Sequence, residues 1–374
     1  MSLNEEKGNI LRLLFVSSDR KLLSAAVGLF LIGLLSIFSA SLGMEKNAGA
    51  FVVRQAVWGL VSFAAYATVL RIGYLRLLSL AYRIYGAAIL LLLAVLVLGH
   101  VARGSQSWIG FAGFRLQPSE LAKVALALFL AKHLCRHPVE DAKSLAWLLA
   151  LSGLCVVLVL AQPDLGSAIV LSVMIFTALY AAGTPVRYLA GLSAAAVLLM
   201  PVGWHFLKAY QRLRLLVFLN PYSDPLGAGY NVIQSRIAVG SGRILGKGFM
   251  MGTQSKLGFL PEPHTDFIFS VFAEEFGFLG GVFLLVLFSL LLWRIVAAGI
   301  KSRDLRGKVL VASIAGWIWF QLVEGMAMSM GLAPVTGLPL PFLSYGGSSL
   351  LALGIALGLV QSVVVENPRP DADS

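Results

Sequence analysis

The polar stretch from Asn220 to Asp266 decides how this sequence is read, because it divides an otherwise apolar chain into seven apolar runs on one side and three on the other. It begins Asn220-Pro221-Tyr222-Ser223-Asp224-Pro225 and ends Pro261-Glu262-Pro263-His264-Thr265-Asp266, with many glycines between. A loop of this length in a compact chain is either ordered for a function or a disordered linker. We expect an ordered, functional segment.

The composition around this stretch is that of an integral membrane protein. Of the 374 residues, 58% are hydrophobic and 13% are charged, and the mean hydropathy of +0.85 is far from that of a soluble domain. The net charge is +11, but the Lys and Arg residues are spread between apolar runs, which argues against nucleic-acid binding. Since about 20 residues span the hydrocarbon core, we predict an all-α polytopic protein of about ten transmembrane helices, at 22–42, 51–70, 77–98, 118–134, 145–161, 166–183, 188–207, 266–298, 309–331 and 346–365.

The positions of the basic residues predict the topology. With the N-terminus inside, the inner segments hold seventeen Lys and Arg residues and the short outer connections hold five, and such an excess marks the cytoplasmic side. We therefore expect one membrane domain over 1–374, with cytoplasmic tails at 1–21 and 366–374. The long loop between helices 7 and 8, residues 208–265, is then extracytoplasmic.

Ionisable residues near the outer helix ends are candidates for a site. Glu120 and Lys123 are three residues apart and share a helix face, so they form a structural ion pair or line an outward-facing cavity. Asp164 follows a proline at the outer end of a span and is either a cavity residue or part of a plain turn. Gln321 and Glu324 in helix 9 are most simply interpreted as interhelical contacts.

The mouth of helix 8 is the strongest candidate. Asp266 and Glu274 lie within about 80° of each other on a helix of 3.6 residues per turn, so we expect both to face one groove. Thr265 or Asp266 could instead cap the helix, and Glu274 or Glu275 could be neutral at depth or paired with a basic neighbour. Because a cap needs only one such residue, the whole run from Pro261 to Asp266 favours chemistry at Asp266.

The sequence resembles the SEDS family (shape, elongation, division and sporulation) over essentially its whole length. The matching segments are Asn220 to Tyr230, Gln234-Ser235, Ala238 to Gly242, Leu260 to Phe269, Glu274-Glu275, Gln117-Pro-Ser-Glu120-Leu-Ala-Lys123, Gln162-Pro-Asp164-Leu-Gly166 and Pro341 to Ser349. The run from Gly246 to Phe259 is more similar to the elongation type, RodA, than to the division type. Arg243 departs from the pattern, because the family usually has a second glycine there.

The resemblance implies a peptidoglycan glycosyltransferase of the bacterial cytoplasmic membrane. Such proteins polymerise lipid II at the outer face, release undecaprenyl diphosphate and work with a class B penicillin-binding protein as the transpeptidase. It implies Asp266 as the catalytic residue and Glu120, Lys123 and Asp164 as cavity residues, with Arg103 and Trp108 nearby. We add His264 and Thr265, which directly precede Asp266, and Ser344 in the last outer turn as substrate-binding candidates.

The reaction requires a base for the acceptor hydroxyl and positive charge for the leaving diphosphate. Asp266 is a fitting base, an α-linked donor and β-linked product predict inversion, and Lys123, Arg103 or Arg214 could offset the diphosphate charge. The sequence indicates no required cofactor, although Mg²⁺ or another divalent cation suits a diphosphate. A lipid II flippase or transporter, or a non-enzymatic scaffold for the transpeptidase, is the alternative function.

Overall fold

The computed structural model describes residues 18–43, 48–98, 100–102, 105–111 and 114–366. Its helices, numbered in chain order, are α1 (Arg20–Ser41), α2 (Ala48–Ile72), α3 (Tyr74–Ser79), α4 (Ala81–Leu98), α5 (Pro118–Arg136), α6 (Ala142–Ala161), α7 (Leu165–Ala181), α8 (Val186–Phe206), α9 (Ala209–Leu219), α10 (Ala228–Ser241), α11 (Thr253–Lys256), α12 (Ile268–Lys301), α13 (Leu305–Met330) and α14 (Gly347–Glu366). Each of the ten predicted spans coincides with one long helix.

Seven of the long helices, α1, α2, α6, α8, α12, α13 and α14, are long and apolar enough to cross a membrane, and α4 and α7 are apolar but shorter. The tenth, α5, has 19 residues and carries the charged pair Glu120 and Lys123. The prediction of a polytopic helical membrane protein is confirmed.

The connection between α4 and α5 contains a small sheet that the sequence analysis did not predict. Strands β1 (His100–Ala102), β2 (Ser105–Phe111) and β3 (Phe114–Leu116) form an antiparallel meander with β2 in the middle. Trp108 lies opposite His100 in this pairing. The description of the chain as all-α therefore needs this one correction, outside the spans.

The long connection between α8 and α12 is folded. It contains α9, a 3₁₀ turn at Pro221–Ser223, α10 and α11. Helix α10 is anchored by Ser235, whose buried hydroxyl donates to the Ser329 carbonyl at 2.6 Å and lies 2.6 Å from the Ser270 hydroxyl. This segment is therefore ordered against α12 and α13 rather than a linker.

Close helix packing explains how an apolar bundle acquires one arrangement. Between α14 and α2, a Cβ atom at Gly354 would lie 2.2 Å from the Ser62 hydroxyl, and one at Gly358 would lie 2.8 Å from the Tyr66 carbonyl. Small residues four apart let two backbones approach closely, which replaces the hydrophobic effect that is absent between helices in lipid.

The two ends of the bundle hold different sets of helix termini. At the end predicted to be cytoplasmic, Asp19 caps α1 and forms an ion pair with Arg294 of α12, while Gln361 of α14 bonds to the Asp19 backbone. The opposite end gathers the starts of α2, α5, α7, α12 and α14. This grouping agrees with the predicted alternation of spans, and the assignment of the cytoplasmic side stays a prediction.

Helix α12 is broken at Gly277, where φ is 66° and ψ is −161°. Loop residues pair with the backbone around the break: Phe278 and Leu279 donate to the carbonyls of Arg243 and Ile244, at 2.8 and 3.1 Å. Non-helical backbone at membrane depth is tolerated where protein groups bind it. The predicted span 266–298 is thus a short buried helix, Ile268 to Phe276, followed by a long one.

Candidate functional site

Asp266 lies in the turn that precedes α12, half-buried. The N-cap of α12 is Phe267, whose own side chain makes no capping hydrogen bond. The capping alternative for Thr265 or Asp266 stays a prediction. A carboxylate that caps a helix can still take part in chemistry at its mouth.

The segment between α13 and α14, residues 334–340, crosses directly in front of Asp266. We call it the crossing segment. A Cβ atom added at the exposed Gly337 would lie 3.6 Å from Oδ2 of Asp266. Gly337 has a φ of 77°, which favours glycine. The absence of a side chain at this position leaves the carboxylate uncovered on that side.

The turn that contains Asp266 is joined to the turn before α14 through the predicted candidates His264, Thr265 and Ser344. The Ser344 hydroxyl donates to the Thr265 carbonyl at 2.7 Å and accepts from the Leu340 amide at 2.9 Å, and the Tyr345 amide donates to the His264 carbonyl at 2.9 Å. These bonds fasten the turn before α14 to the turn before α12. Ser344 and Thr265 thus hold the backbone of the site together.

The rings of His264, Phe51 and Tyr345 pack together beside these turns. The His264 centroid lies 4.7 Å from that of Phe51 and 5.6 Å from that of Tyr345. Sequence analysis missed Gln55, which is 1% exposed. Its amide donates to the Ser344 carbonyl and accepts from the Gly346 amide, both at 3.2 Å. Its mark in the sequence is that the polar pair Arg54-Gln55 interrupts an apolar run.

Asp164 occupies the start of α7 and has two identified partners. One oxygen accepts from the Ser167 amide at 3.0 Å and caps α7, and the other accepts from the Gln117 side chain at 3.1 Å. The backbone amide of Gln117 in turn donates to the Ser348 hydroxyl at 3.1 Å. Asp164 therefore joins the outer ends of α5, α7 and α14, which is more than a plain turn would need.

Glu120 and Lys123 form a buried ion pair. Their side chains are 1% and 0% exposed and their charged atoms lie 2.6 Å apart. The Lys123 ammonium lies 4.8 Å above the Trp317 ring of α13, a favourable cation–π arrangement. The second oxygen of Glu120 is buried without a hydrogen-bond partner among the described residues. The ion-pair prediction is confirmed, and its role as a cavity lining stays a prediction.

Helix α13 connects this ion pair with Asp266. Trp317 contacts Lys123, and Glu324, seven residues further along, accepts a hydrogen bond from Thr336, which precedes Gly337 beside Asp266. Seven residues correspond to about 10 Å along a helix axis. The interhelical role predicted for Gln321 is not what the structure shows, because Gln321 accepts from Trp317 of its own helix at 2.8 Å.

The expectation that Glu274 faces a groove with Asp266 is wrong. Its buried carboxylate accepts from the Lys247 ammonium at 2.6 Å and from the Thr253 amide at 2.9 Å, and the Ser39 hydroxyl of α1 donates to Glu275. Asp266 lies in the turn before α12, outside the helix that carries Glu274, and the loop that packs on this helix binds the Glu274 carboxylate. Both glutamates fasten residues 247–254 and α1 to the first part of α12.

The basic residues predicted to offset the diphosphate charge lie in different parts of the chain. Arg214 of α9 donates to the Val335 carbonyl of the crossing segment at 3.2 Å, two residues from Gly337. On the same helix Tyr210 donates to the Pro163 carbonyl at 3.0 Å, and burial raises the pKa of Tyr210. Trp108 is half-buried in β2. Arg103 lies outside the described residues.

Metal binding has no dedicated ligand set in the described part of the chain. No group of three His, Cys, Asp or Glu side chains comes together there as potential ligands. A divalent cation that binds together with a substrate diphosphate stays a prediction.

Known proteins resemble this chain along most of its length. The cell cycle protein family of FtsW, RodA and SpoVE matches residues 20–368. The peptidoglycan glycosyltransferase MrdB of Escherichia coli K12 is 40% identical over 282 residues, which cover 75% of this chain and 76% of MrdB.

Two solved structures share the fold. One, described as "structural coordination of polymerization and crosslinking by a peptidoglycan synthase complex", matches with a TM-score of 0.81 and 35% identity over 95% of this chain and 100% of that one. The rod shape determining protein RodA of Thermus thermophilus matches with a TM-score of 0.72 and 32% identity over 95% of this chain and 99% of RodA.

Proposed function

This chain belongs to the cell cycle protein family of FtsW, RodA and SpoVE, and from that membership we infer a RodA-like peptidoglycan glycosyltransferase. We propose that it polymerises lipid II at the outer face of the cytoplasmic membrane during cell elongation. The similarity to the glycosyltransferase MrdB and to RodA supports this function. The half-buried carboxylate of Asp266, which lies beside Gly337 of the crossing segment, is the observation that carries the mechanism.

Asp266 acts as the general base. It removes the proton from the acceptor sugar hydroxyl, whose oxygen attacks the anomeric carbon of the donor while the bond from that carbon to the diphosphate breaks. A single displacement inverts the configuration, and undecaprenyl diphosphate leaves with the electron pair. The half-buried position of Asp266 suits this step, since partial desolvation makes a carboxylate a stronger base.

Arg214 of α9 is the best placed source of positive charge for the leaving diphosphate. Lys123 is already neutralised by Glu120 at 2.6 Å, which reduces the net charge that it offers. Arg214 is held by the Val335 carbonyl on the crossing segment, next to the region that Asp266 faces. We therefore assign Arg214 the electrostatic role that the sequence analysis shared among three residues.

The Glu120–Lys123 pair, Asp164 and Trp108 are proposed to line the cavity that receives the lipid-linked sugars. Support comes from the second oxygen of Glu120, which is buried and has no hydrogen-bond partner among the described residues. A buried acceptor without a donor is costly unless a ligand or a water molecule donates a hydrogen bond to it. The ends of α5, α7 and α14 that Asp164 joins would then form one wall.

A class B penicillin-binding protein is the proposed partner. The solved structure described as coordinating polymerization and crosslinking in a peptidoglycan synthase complex supports such an assembly. We place both termini in the cytoplasm and Asp266 on the outer side, on the basis of the charge distribution.

Polymerisation of lipid II by the purified protein, with and without its transpeptidase, tests the function. We expect Asp266→Asn to lower the rate at least about 100-fold. Asp304→Asn is the matched control, because Asp304 caps α13 at the opposite end and Asn caps equally well. Normal glycan chains from Asp266→Asn would remove Asp266 from the mechanism. Lipid II scrambling in liposomes without any polymer would favour the flippase.

A further inference from the structure

The loop that packs against the break in α12 forms a groove that the mechanism above does not use. Residues 241–247 line an open cavity of about 630 Å³. The Phe278 amide donates to the Arg243 carbonyl at 2.8 Å, and the Lys247 amide donates to the Glu274 carbonyl at 3.0 Å. Both parts of the loop backbone are thus fixed to α12, and the groove has a defined shape and a defined place on this helix.

The length of α12 places this groove at the level of the lipid headgroups. The part of α12 after the break runs from Phe278 to Lys301, and at 1.5 Å per residue it is about 35 Å long. The hydrocarbon core of a bilayer is about 30 Å thick, so the two ends of this part reach the two headgroup regions. Lys301 lies beside the Asp19–Arg294 ion pair. Phe278 and the loop paired with it therefore lie in the headgroup region on the opposite side.

Arg243 brings a positive charge to this level. Its side chain is exposed, and the ion pairs found in the described part of the chain do not include it. Lys247, the other cation of the groove, is already paired with Glu274 at 2.6 Å. Arg243 also has a φ of 50°, in a region that favours glycine, and strain of this kind points to a use for the side chain.

Apolar side chains beside Arg243 indicate that the groove opens toward lipid. Ile244 and Leu245 on the loop are exposed, and so are Phe278 and Phe283 on α12. At the edge of a bilayer such side chains contact acyl chains, while a guanidinium group next to them reaches the headgroups. The phosphates of anionic lipids are the negative groups at this level. An anion that binds beside Arg243 therefore carries acyl chains.

We propose that the groove at residues 241–247 binds one anionic phospholipid, with Arg243 donating to its phosphate and the apolar side chains beside Arg243 contacting its acyl chains. The guanidinium group presents its N–H donors in a planar fork that fits a phosphate. A lipid with a net negative charge, such as phosphatidylglycerol, binds better than phosphatidylcholine, because the choline group of the latter brings a second positive charge.

This phospholipid is distinct from the lipid-linked substrate. The short helix from Ile268 to Phe276 is about 13 Å long and separates the groove from the turn that holds Asp266. The phospholipid instead clamps the loop onto the break at Gly277. The proposal goes beyond the transferase function and does not depend on it.

The experiment measures lipid retention by native mass spectrometry of the purified protein, titrated with phosphatidylglycerol, phosphatidylcholine or inorganic phosphate. We expect the wild type to keep one phosphatidylglycerol molecule that Arg243→Gln binds about tenfold more weakly, with Arg243→Lys between the two. Phosphatidylglycerol should also raise the melting temperature of the wild type more than that of Arg243→Gln, because it clamps the loop. Arg303→Gln is the matched control and should behave as the wild type, since Arg303 is an exposed arginine in the turn at the other end of α12.

Equal retention by the wild type and Arg243→Gln would overturn the proposal. An equal loss in Arg303→Gln would do the same, because it would show attraction to positive charge in general. Phosphatidylcholine bound as tightly as phosphatidylglycerol would contradict the role of charge, and displacement of the lipid by an equal concentration of inorganic phosphate would indicate a site for free phosphate. If Arg243→Gln weakens binding of the transpeptidase but not of lipid, the groove is a protein interface instead.

Melting curves in lipid-free detergent show whether each variant is folded. If Arg243→Gln melts early, Arg243→Gly takes its place, because it removes the charge and relieves the left-handed strain, and it must show the same loss of lipid. None of these measurements uses lipid II. Their outcome is therefore separate from the activity of Asp266→Asn, which tests the proposed function.

Discussion

Replacement of Gly277 by alanine tests whether the break in α12 sets the position of Asp266. The φ of 66° and ψ of −161° at Gly277 lie in a region that is essentially restricted to glycine, and a residue with a side chain pays about 1 to 3 kcal/mol there. The added Cβ atom would also lie 2.3 Å from the Gly246 nitrogen and 2.6 Å from the Ile244 carbonyl oxygen.

The clash has no inexpensive relief. The obstructing atoms are backbone, and the same loop holds the break through the bond from Gly248 to the Glu275 carbonyl at 2.9 Å. Overpacking of this kind costs a further 1 to 3 kcal/mol or so. We therefore expect Gly277→Ala to lose about 2 to 6 kcal/mol of stability, with a fall in melting temperature of about 5 °C or more.

The assay combines thermal melting in detergent with lipid II polymerisation. Because Asp266 lies in the turn directly before the short helix from Ile268 to Phe276, the loss of activity should exceed what the melting curve explains. Gly281→Ala is the matched control on the same helix. The nearest atom to its added Cβ lies 4.0 Å away, and alanine favours a helix by up to about 1 kcal/mol. Equal melting temperatures and rates for the two variants would refute this account of the break.

Two further predictions concern positions where sequence and backbone meet. Arg243 has a φ of 50°, so Arg243→Gly should remove left-handed strain of about 1 to 2 kcal/mol at an entropic cost of about 0.5 to 1 kcal/mol. Differential scanning fluorimetry should therefore show an unchanged or slightly higher melting temperature. A clear fall in melting temperature would contradict the presence of strain at Arg243. Asp164→Ser keeps a capping hydroxyl on α7 but loses the bond from Gln117, so we expect near-native melting and reduced polymerisation. A wild-type rate would show that Asp164 only caps its helix.

The sequence predicts the spans well because one physical quantity decides them. An apolar run of about 20 residues has no alternative to a helix in lipid, and all ten runs became helices. The ion pair of Glu120 and Lys123 was also predictable, since spacing on a helix determines which side chains meet. The same reasoning applied to Asp266 and Glu274 gave the wrong result, because it placed Asp266 inside the helix, whereas α12 begins at Ile268.

The break at Gly277 leaves no mark in a hydropathy profile. Its cause lies in residues 243–248, which are distant in sequence and pair with the backbone on both sides of the glycine. Contacts of this kind depend on the folded loop and cannot be derived from local pattern. The same is true of Gln55 and Glu324, whose partners lie in turns that only the assembled bundle brings within reach.

The site that results is built from backbone more than from side chains. Hydrogen bonds from Ser344 and Tyr345 fix the turn before α12, which contains Asp266. Glu324 and Arg214 fix the crossing segment, which lies beside the Asp266 carboxylate. A carboxylate placed in this way meets its substrate with little reorganisation, and preorganised charge is usually the largest contribution to catalysis. The polar stretch that divides the sequence therefore contributes the base, and α9 just before it contributes the cation Arg214. The helices after the stretch contribute the frame that makes the base effective.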